Sequence, residues 1–297
     1  MTTMELTECT VGQLAAELPA SIRVFETWKI DYCCGGRTPL PAACAAAGKS
    51  VDEFVAELER AAAVPDASSR DWSADTLASM ASNIVAMYHA YTREELQTII
   101  PIADKVLHVH GERRPELAEV VTLVRDLTGD MLPHMLKEEQ VLFPYVGQLE
   151  AAAAAGADAP TPFFGTVKNP VRMMMLEHER VGELLATLRV VTSDYTPPES
   201  ACFSYRELYR RLAEFELRTH EHVHIENNIY FPRAIALEET AGNEPSFAFT
   251  GGTCGSSCSP LNARAARGVS ITQSFARARR KRPSEAEGGN EGSRVEQ

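Results

Sequence analysis

The amino-acid sequence predicts an all-α fold, in which a four-helix bundle follows a small helical unit at the N-terminus. Apolar residues recur at helical spacing over most of the chain, and no segment shows the sustained alternation of a strand. Loops rich in glycine or proline divide the longer part into four segments. Because long amphipathic helices bury their apolar faces against one another, we expect a bundle with helices over about 76–110, 115–150, 170–193 and 203–238.

The composition changes along the chain and predicts three regions. Residues 1–62 form the small helical domain, and residues 61–74 have the Ala, Ser, Pro and Asp content of a linker. The four-helix bundle occupies 75–240. Residues 241–297 are rich in Ser, Gly and charged residues, so we expect a disordered tail there.

Two capping signals mark helices in the small domain. Thr10 precedes an apolar segment and has Gln13 three residues later, which is the pattern of a capping box. Ser50 and Glu53 repeat that pattern. We therefore expect helices that begin directly after Thr10 and Ser50.

The charge and the cysteine content exclude several functional classes. With 29 basic and 41 acidic residues the net charge is −12, which argues against a nucleic-acid partner. The chain lacks the uninterrupted apolar stretch of a membrane span, and its first residues do not resemble an export signal. Seven scattered cysteines then indicate reduced thiols in the cytoplasm.

An internal repeat carries the chemistry. Residues 134–144 and 222–232 share the pattern His-x-x-x-Glu followed, at the same offset, by Phe-Pro. A further helical histidine precedes each segment: His89 lies 45 residues before the first, and His178 lies 44 residues before the second. Chance matches of one His-x-x-x-Glu pair are common on helix surfaces, but a duplicate with matching neighbours is not.

The spacing of the repeat predicts a metal centre inside the bundle. Residues four apart lie one above the other on a helix face, so each His-x-x-x-Glu pair can direct two ligands inward. Four imidazoles and two carboxylates suit two irons, with open positions for an oxo or hydroxo bridge and for a small diatomic ligand. The predicted ligands are His89, His134, Glu138, His178, His222 and Glu226.

Other metal classes fit the sequence less well. Ferritin-like centres need two Glu-x-x-His motifs, and only Glu221 with His224 has that spacing. A structural zinc site needs four ligands and usually includes cysteine. Iron is therefore the first choice and manganese the second, while a purely structural bundle with fortuitous histidines stays as an alternative.

With these residues in view, the chain resembles the iron-sulfur cluster repair di-iron family (Repair of Iron Centers). The similarity covers about residues 9–238, and its motifs are Asp31-Tyr-Cys-Cys-Gly-Gly in the small domain and both His-x-x-x-Glu segments in the bundle. The resemblance implies a vicinal-cysteine domain before a hemerythrin-like bundle, with Glu138 and Glu226 as bridging carboxylates. It also implies iron delivery or nitric oxide chemistry, with damaged iron-sulfur proteins and small diatomics as partners.

One departure from hemerythrin concerns an additional ligand. Hemerythrin has a second histidine four residues after the ligand of its third helix, and this position is Gly182 here. The missing ligand should open one iron and favour reactivity over reversible oxygen carriage.

The neighbouring cysteines Cys33 and Cys34 are the second candidate site. We expect an exposed, glycine-flanked thiol pair that transfers iron or electrons, on a linker that lets it reach both the metal centre and a client. The alternative is that both are small apolar fillers, as we expect for Cys44.

Several outlying residues have weaker roles in this interpretation. His110, Asp130 and Glu177 are candidates for contacts around the metal ligands or along an access route, and Cys254 with Cys258 most simply belong to a free tail.

Two functions remain open from the sequence. The first is a redox-active di-iron repair protein. The alternative is a hemerythrin-like protein that binds or senses oxygen, nitric oxide or iron without turnover. The sequence leaves the assembly state open, with a homodimer as one option.

Overall fold

A computed structural model describes the chain over residues 6–64, 72 and 74–242. Every regular element in these residues is a helix, apart from one antiparallel bridge between Thr10 and Pro39. The prediction of an all-α fold is confirmed for this part of the chain. Residues 65–71 of the predicted linker and the predicted tail from 243 onward, including Cys254 and Cys258, lie outside the described residues.

Within the described residues, the N-terminal unit has four complete helices around its own apolar core. They are α1 (Val11–Glu17), α2 (Ala20–Trp28), α3 (Leu40–Ala46) and α4 (Val51–Ala62). Both predicted capping boxes are present: Thr10 bonds with Gln13, and Ser50 bonds with Glu53, in each case through side chain and backbone. Cys44 is buried in this core, as expected for a packing residue.

The bundle has four helical arms, three of which contain a π-helical segment. The first arm is α5 (Leu77–Ile84), π1 (Val85–His89) and α6 (Ala90–His110); the second is α7 (Glu116–Lys137), π2 (Glu138–Leu142) and α8 (Phe143–Ala155); the third is α9 (Lys168–Val191); the fourth is α10 (Phe203–Ile225), π3 (Glu226–Tyr230) and α11 (Phe231–Gly242). None of the described helices is long and apolar enough to cross a membrane.

The π-helical segments π2 and π3 follow from the repeated Phe-Pro. Pro144 and Pro232 lack the N–H that would bond the carbonyl four residues earlier, so the α-helical ladder is interrupted at the same place in both repeats. Such single-turn π segments are common at functional sites. Each of these two segments begins at the glutamate of its repeat.

Two apolar cores lie along the bundle, and the candidate ligands lie between them. One core includes Leu96, Leu127 and Phe215, and the other includes Met80, Val146 and Phe231. Along each arm the chain leaves one core, passes the level of the ligands and enters the other. The bundle therefore encloses its polar layer in apolar packing on both sides.

Candidate metal centre

Six buried side chains converge in the polar layer of the bundle. They form two interlocking groups of four, and within each group the possible ligand atoms lie within 4.8 Å of one another. The first group is His89, Glu138, His222 and Glu226, and the second is His134, Glu138, His178 and Glu226. Both carboxylates belong to both groups, so the two groups share half of their members.

Each of the two groups combines residues from both sequence repeats. His89 from the first repeat faces His222 from the second, with their Nε2 atoms 3.2 Å apart. His134 and His178 form the other pair, at 2.9 Å between Nε2 atoms. Each group of possible ligands therefore contains one imidazole from each half of the chain.

The carboxylates provide a test of whether a metal fits. Glu138 and Glu226 are fully buried, and none of their four oxygens makes a hydrogen bond of good geometry, although imidazole nitrogens approach within 3.0 Å. A buried carboxylate without a partner destabilises the folded protein by on the order of several kcal/mol, because its charge is left uncompensated. Cations at the centre of each group would remove this cost, so the donor set fits metal ions.

Outer contacts orient three of the four imidazoles. In each case the Nδ1 atom faces a side-chain oxygen, which leaves Nε2 toward the centre and fixes the tautomer a metal requires. The pairs are His89 with Glu139 at 2.7 Å, His134 with Glu177 at 2.8 Å, and His178 with Asn227 at 2.9 Å.

The sequence indicated only one of these outer partners. It pointed to Glu177, but it did not single out Glu139 or Asn227. A signal was present, since each of the two directly follows the glutamate of its repeat. Each also contacts the first-helix histidine of the same repeat, so the repeat extends to the outer contacts.

The fourth imidazole breaks this symmetry. Tyr88 precedes His89 as Glu177 precedes His178. The Tyr88 ring stacks on His222 at 5.5 Å between centroids and 12° between planes. The Nδ1 atom of His222 is buried without a hydrogen-bond partner. The two groups of possible ligands therefore have different surroundings.

The carboxylates shift the pKa of two imidazoles. Burial alone would lower the pKa of His89, but the nearby negative charges of Glu138 and Glu226 raise it to about 9. Burial also opposes protonation of His134, whose pKa is raised to about 10 by Glu138 and Glu177. The metal-free centre therefore holds protons at neutral pH that metal ions must displace.

Two outlying expectations are wrong. His110 lies 21 residues along a helix from His89, about 30 Å away, and contacts Cys202 and Tyr205 instead of the centre. Asp130 accepts a hydrogen bond from Arg180 at 2.6 Å on the outside of the bundle. His110 is too far along the helix to contact the ligands, and Asp130 is paired with Arg180 although it lies one turn from His134.

The thiol pair packs against the bundle instead of projecting from it. Cys33 is only 7% exposed and Cys34 is half-buried, so the expectation of an exposed pair is wrong for Cys33. The carbonyl of Cys33 accepts hydrogen bonds from Asn227 and Asn228, each at 3.3 Å. The loop is therefore fixed beside the His178 half of the centre, because Asn227 contacts both.

Two glycines make this docking possible. A Cβ atom at Gly12 would lie 2.3 Å from Oδ1 of Asn228, and one at Gly36 would lie 2.2 Å from the same atom. Real side chains do not approach this closely. The amide of Asn228 therefore inserts between two positions that accept only glycine in this packing.

Both parts of the chain match families of known proteins. Residues 7–62 match the ScdA_N family model, described as a domain of unknown function, and residues 80–234 match the hemerythrin HHE cation-binding domain. The chain is similar to proteins named iron-sulfur cluster repair protein YtfE from Yersinia pseudotuberculosis serotype IB (strain PB1/+) and Yersinia pestis (strain Pestoides F). Each is 34% identical over 239 residues, which cover 79% of this chain and the whole relative.

These matches and the buried cluster agree on one kind of site. A cation-binding domain spans all six converging side chains, and their donor set fits metal ions. The site is therefore a metal-binding site. The similarity extends over more than three quarters of the chain, so the chain belongs to the family of iron-sulfur cluster repair proteins with a hemerythrin-like domain.

Proposed function

We propose that this chain holds two iron ions and repairs or protects iron-sulfur clusters damaged by nitrosative or oxidative stress. The observation that carries the proposal is the pair of interlocking groups that share Glu138 and Glu226. Two ions bridged by two carboxylates would use every inward-facing donor of the cluster. The relatives named for iron-sulfur cluster repair support the choice of client.

The protein's own residues would position the metals and keep the site dry. Glu138 and Glu226 hold both positions together, while Glu139, Glu177 and Asn227 keep three imidazoles aimed inward. The rings of Phe143 and Phe231 stack on His89 and His178 and cover the centre from one side. When bound, iron would supply redox chemistry and affinity for small diatomic molecules.

Burial limits what can reach the centre. The four imidazoles and two carboxylates are each at most 4% exposed as residues, so a cluster within another protein cannot touch the metals. A buried centre of this kind suits ions and small diatomics as its ligands. The activity would therefore be delivery of iron, removal of nitric oxide, or both, and Cys33 and Cys34 would carry iron or electrons between the centre and the client.

The same burial favours the second candidate function. A closed centre suited to diatomic ligands fits a protein that binds or senses oxygen, nitric oxide or iron without turnover. Turnover separates the two functions. Catalytic consumption of nitric oxide, or reactivation of a damaged client beyond one equivalent of bound iron, is expected only for the repair protein.

The experiment uses a dehydratase whose iron-sulfur cluster has been damaged by nitric oxide. The iron-loaded chain should restore its activity, and the metal-free chain should not. A ferrous chelator in the mixture should abolish recovery by iron delivery and leave recovery by nitric oxide removal intact. No recovery in any arm, together with stable binding of a diatomic, would favour the binding protein instead. Stoichiometric zinc without iron, in protein made with ample iron, would contradict the metal assignment.

The thiols bear on where the protein works. All five cysteines within the described residues are free, which supports a reducing compartment, and we propose the cytoplasm.

A further inference from the structure

A second group of possible ligands lies outside the bundle centre, in the loop between α2 and α3. A carboxylate oxygen of Asp31 and the sulfurs of Cys33 and Cys34 lie within 4.8 Å of one another. The two sulfurs are 3.9 Å apart, and the Cys33 sulfur is 3.3 Å from Oδ1 of Asp31. Two thiols and a carboxylate form a donor set for a thiophilic divalent cation.

The backbone holds this group in a fixed arrangement. Oδ1 of Asp31 accepts the N–H of Cys33 at 3.1 Å and that of Cys34 at 2.9 Å. From the bundle, Asn227 and Asn228 donate to the carbonyl of Cys33. The loop is thus tied on both sides, and a cation would not need to order it.

A cleft of about 840 Å³ gives access to the group. The thiol loop forms one wall, and α9 with the start of the following turn forms another. Its walls carry six acidic and three basic side chains. Lys29, Arg189 and His220 each pair with a different carboxylate, which leaves Asp31, Glu179 and Glu183 as the excess negative charge. Clefts with an excess of negative charge raise the local concentration of cations.

The group is also adjacent to the bundle centre. The sulfur of Cys34 lies 3.6 Å from the position that a Cβ atom of Gly182 would occupy. Gly182 is one helical turn after the ligand His178 on the same helix. Because Gly182 has no side chain, there is room for a thiol of the N-terminal unit close to the group of ligands that contains His134 and His178.

We propose that Asp31, Cys33 and Cys34 form a third metal site, which takes a ferrous ion from the cleft and holds it beside the bundle centre. This inference depends on the proposed function only for the identity of the ion. Binding replaces two S–H bonds with two metal–sulfur bonds and releases two protons to water, with no change of oxidation state. Three protein ligands leave a position for water or for a donor from another molecule.

The protonation of the thiols gives the site a pH dependence. The hydrogen bond to Cys34, followed by burial, raises the pKa of the Cys33 thiol, so the Cys33 proton is present when the site is empty. A metal must displace it. Affinity should therefore rise with pH across the neutral range.

The test titrates Co²⁺ into the whole metal-free chain and follows the thiolate-to-cobalt charge-transfer absorption, which imidazole and carboxylate ligands do not produce. We expect this absorption to saturate at about one Co²⁺ per chain, with about three ions bound in total from the two bundle positions plus the thiol site. In Cys33→Ser/Cys34→Ser the absorption should vanish while two ions remain. Asp31→Asn keeps the acceptor for the two N–H groups, removes the charge, and should weaken binding about tenfold or more.

A matched control and two outcomes decide the test. Cys9→Ser alters a half-buried thiol of the same unit and should leave the absorption unchanged. Absence of the absorption in the native chain, or its persistence in the double variant, would overturn the third site. Loss of the two bundle ions in the native chain would instead contradict the proposed function, so the two failures are distinct.

Discussion

At the scale of single residues, the two buried glutamates define the centre. Each lies in both groups of ligands, and each belongs to a different sequence repeat. Removal of a ligand that binds one metal would affect the binding of that ion alone. Removal of a carboxylate shared by both groups would affect the binding of both ions. Removal of either glutamate should therefore have a larger effect than the removal of any one histidine.

We predict that Glu138→Ala and Glu226→Ala each reduce the bound iron from about two ions per chain to fewer than one, because both positions lose a ligand. Metal analysis with the near-ultraviolet spectrum of the oxidised protein measures this. Asp130→Ala is a suitable control, since Asp130 pairs with Arg180 outside the centre. A glutamate variant that retains two irons and an unchanged spectrum would contradict the bridging role.

The raised imidazole pKa values lead to a prediction about protons. His89 and His134 have pKa values of about 9 and about 10 in the metal-free chain, so both are protonated at pH 7. Because metal binds the neutral imidazole, loading should release about two protons, one from each residue. Apparent metal affinity should then fall as the pH is lowered. Calorimetry in buffers of different ionisation enthalpy counts the protons, and zero release at pH 7 would show that these histidines are neutral.

At the scale of elements, the helices follow closely from sequence while their irregularities do not. The capping boxes at Thr10 and Ser50 and the four arms depend on local patterns, which act over a few residues. A π segment forms where one helical turn contains an additional residue. No local pattern marked π1, because no proline follows it directly. The repeat predicted which side chains converge, but it could not predict that His89 pairs with His222.

The docking of the N-terminal unit on the bundle could not be predicted from the sequence, for a different reason. Asn228 contacts the carbonyl of Tyr32 across 196 positions, and nothing near either residue marks the other as its partner. The sequence places Gly12 in the first turn of a helix and Gly36 in a turn, and neither context shows that the glycine admits that amide. Contacts between distant elements depend on complementary shape, which a single sequence does not display.

The glycine contact can be tested by adding one carbon. Gly36→Ala should lower the free energy of unfolding by about 1–3 kcal/mol, because its Cβ would overlap Asn228. The double variant with Asn228→Gly should recover much of this loss by opening the space. As a matched control, Gly129→Ala lies in α7 with no atom within 4 Å and should stabilise the protein by about 0.5–1 kcal/mol. Denaturant unfolding measures all three, and equal effects at both glycines would contradict the contact.

At the scale of the whole molecule, one residue joins the metal centre to the N-terminal unit. The amide of Asn227 uses its oxygen to hold Nδ1 of His178 and its nitrogen to bond the carbonyl of Cys33. A change in the position of His178 on metal loading must therefore affect the thiol loop. By linkage, docking of the loop must favour metal binding to the same extent.

We predict that metal removal lowers protection of the amides in the thiol loop against hydrogen exchange by about fivefold or more, which corresponds to about 1 kcal/mol of coupling. Asn227→Ala should abolish the difference between loaded and metal-free protein. Glu139→Ala is the matched control, because Glu139 holds His89 from the equivalent position in the other repeat and bonds Arg93 of the bundle. It should weaken metal binding and leave the coupling in place. If loop protection is identical with and without metal in the native chain, the thiol loop contacts the metal centre without any coupling free energy between them. The thiols would then respond only to what binds in the cleft.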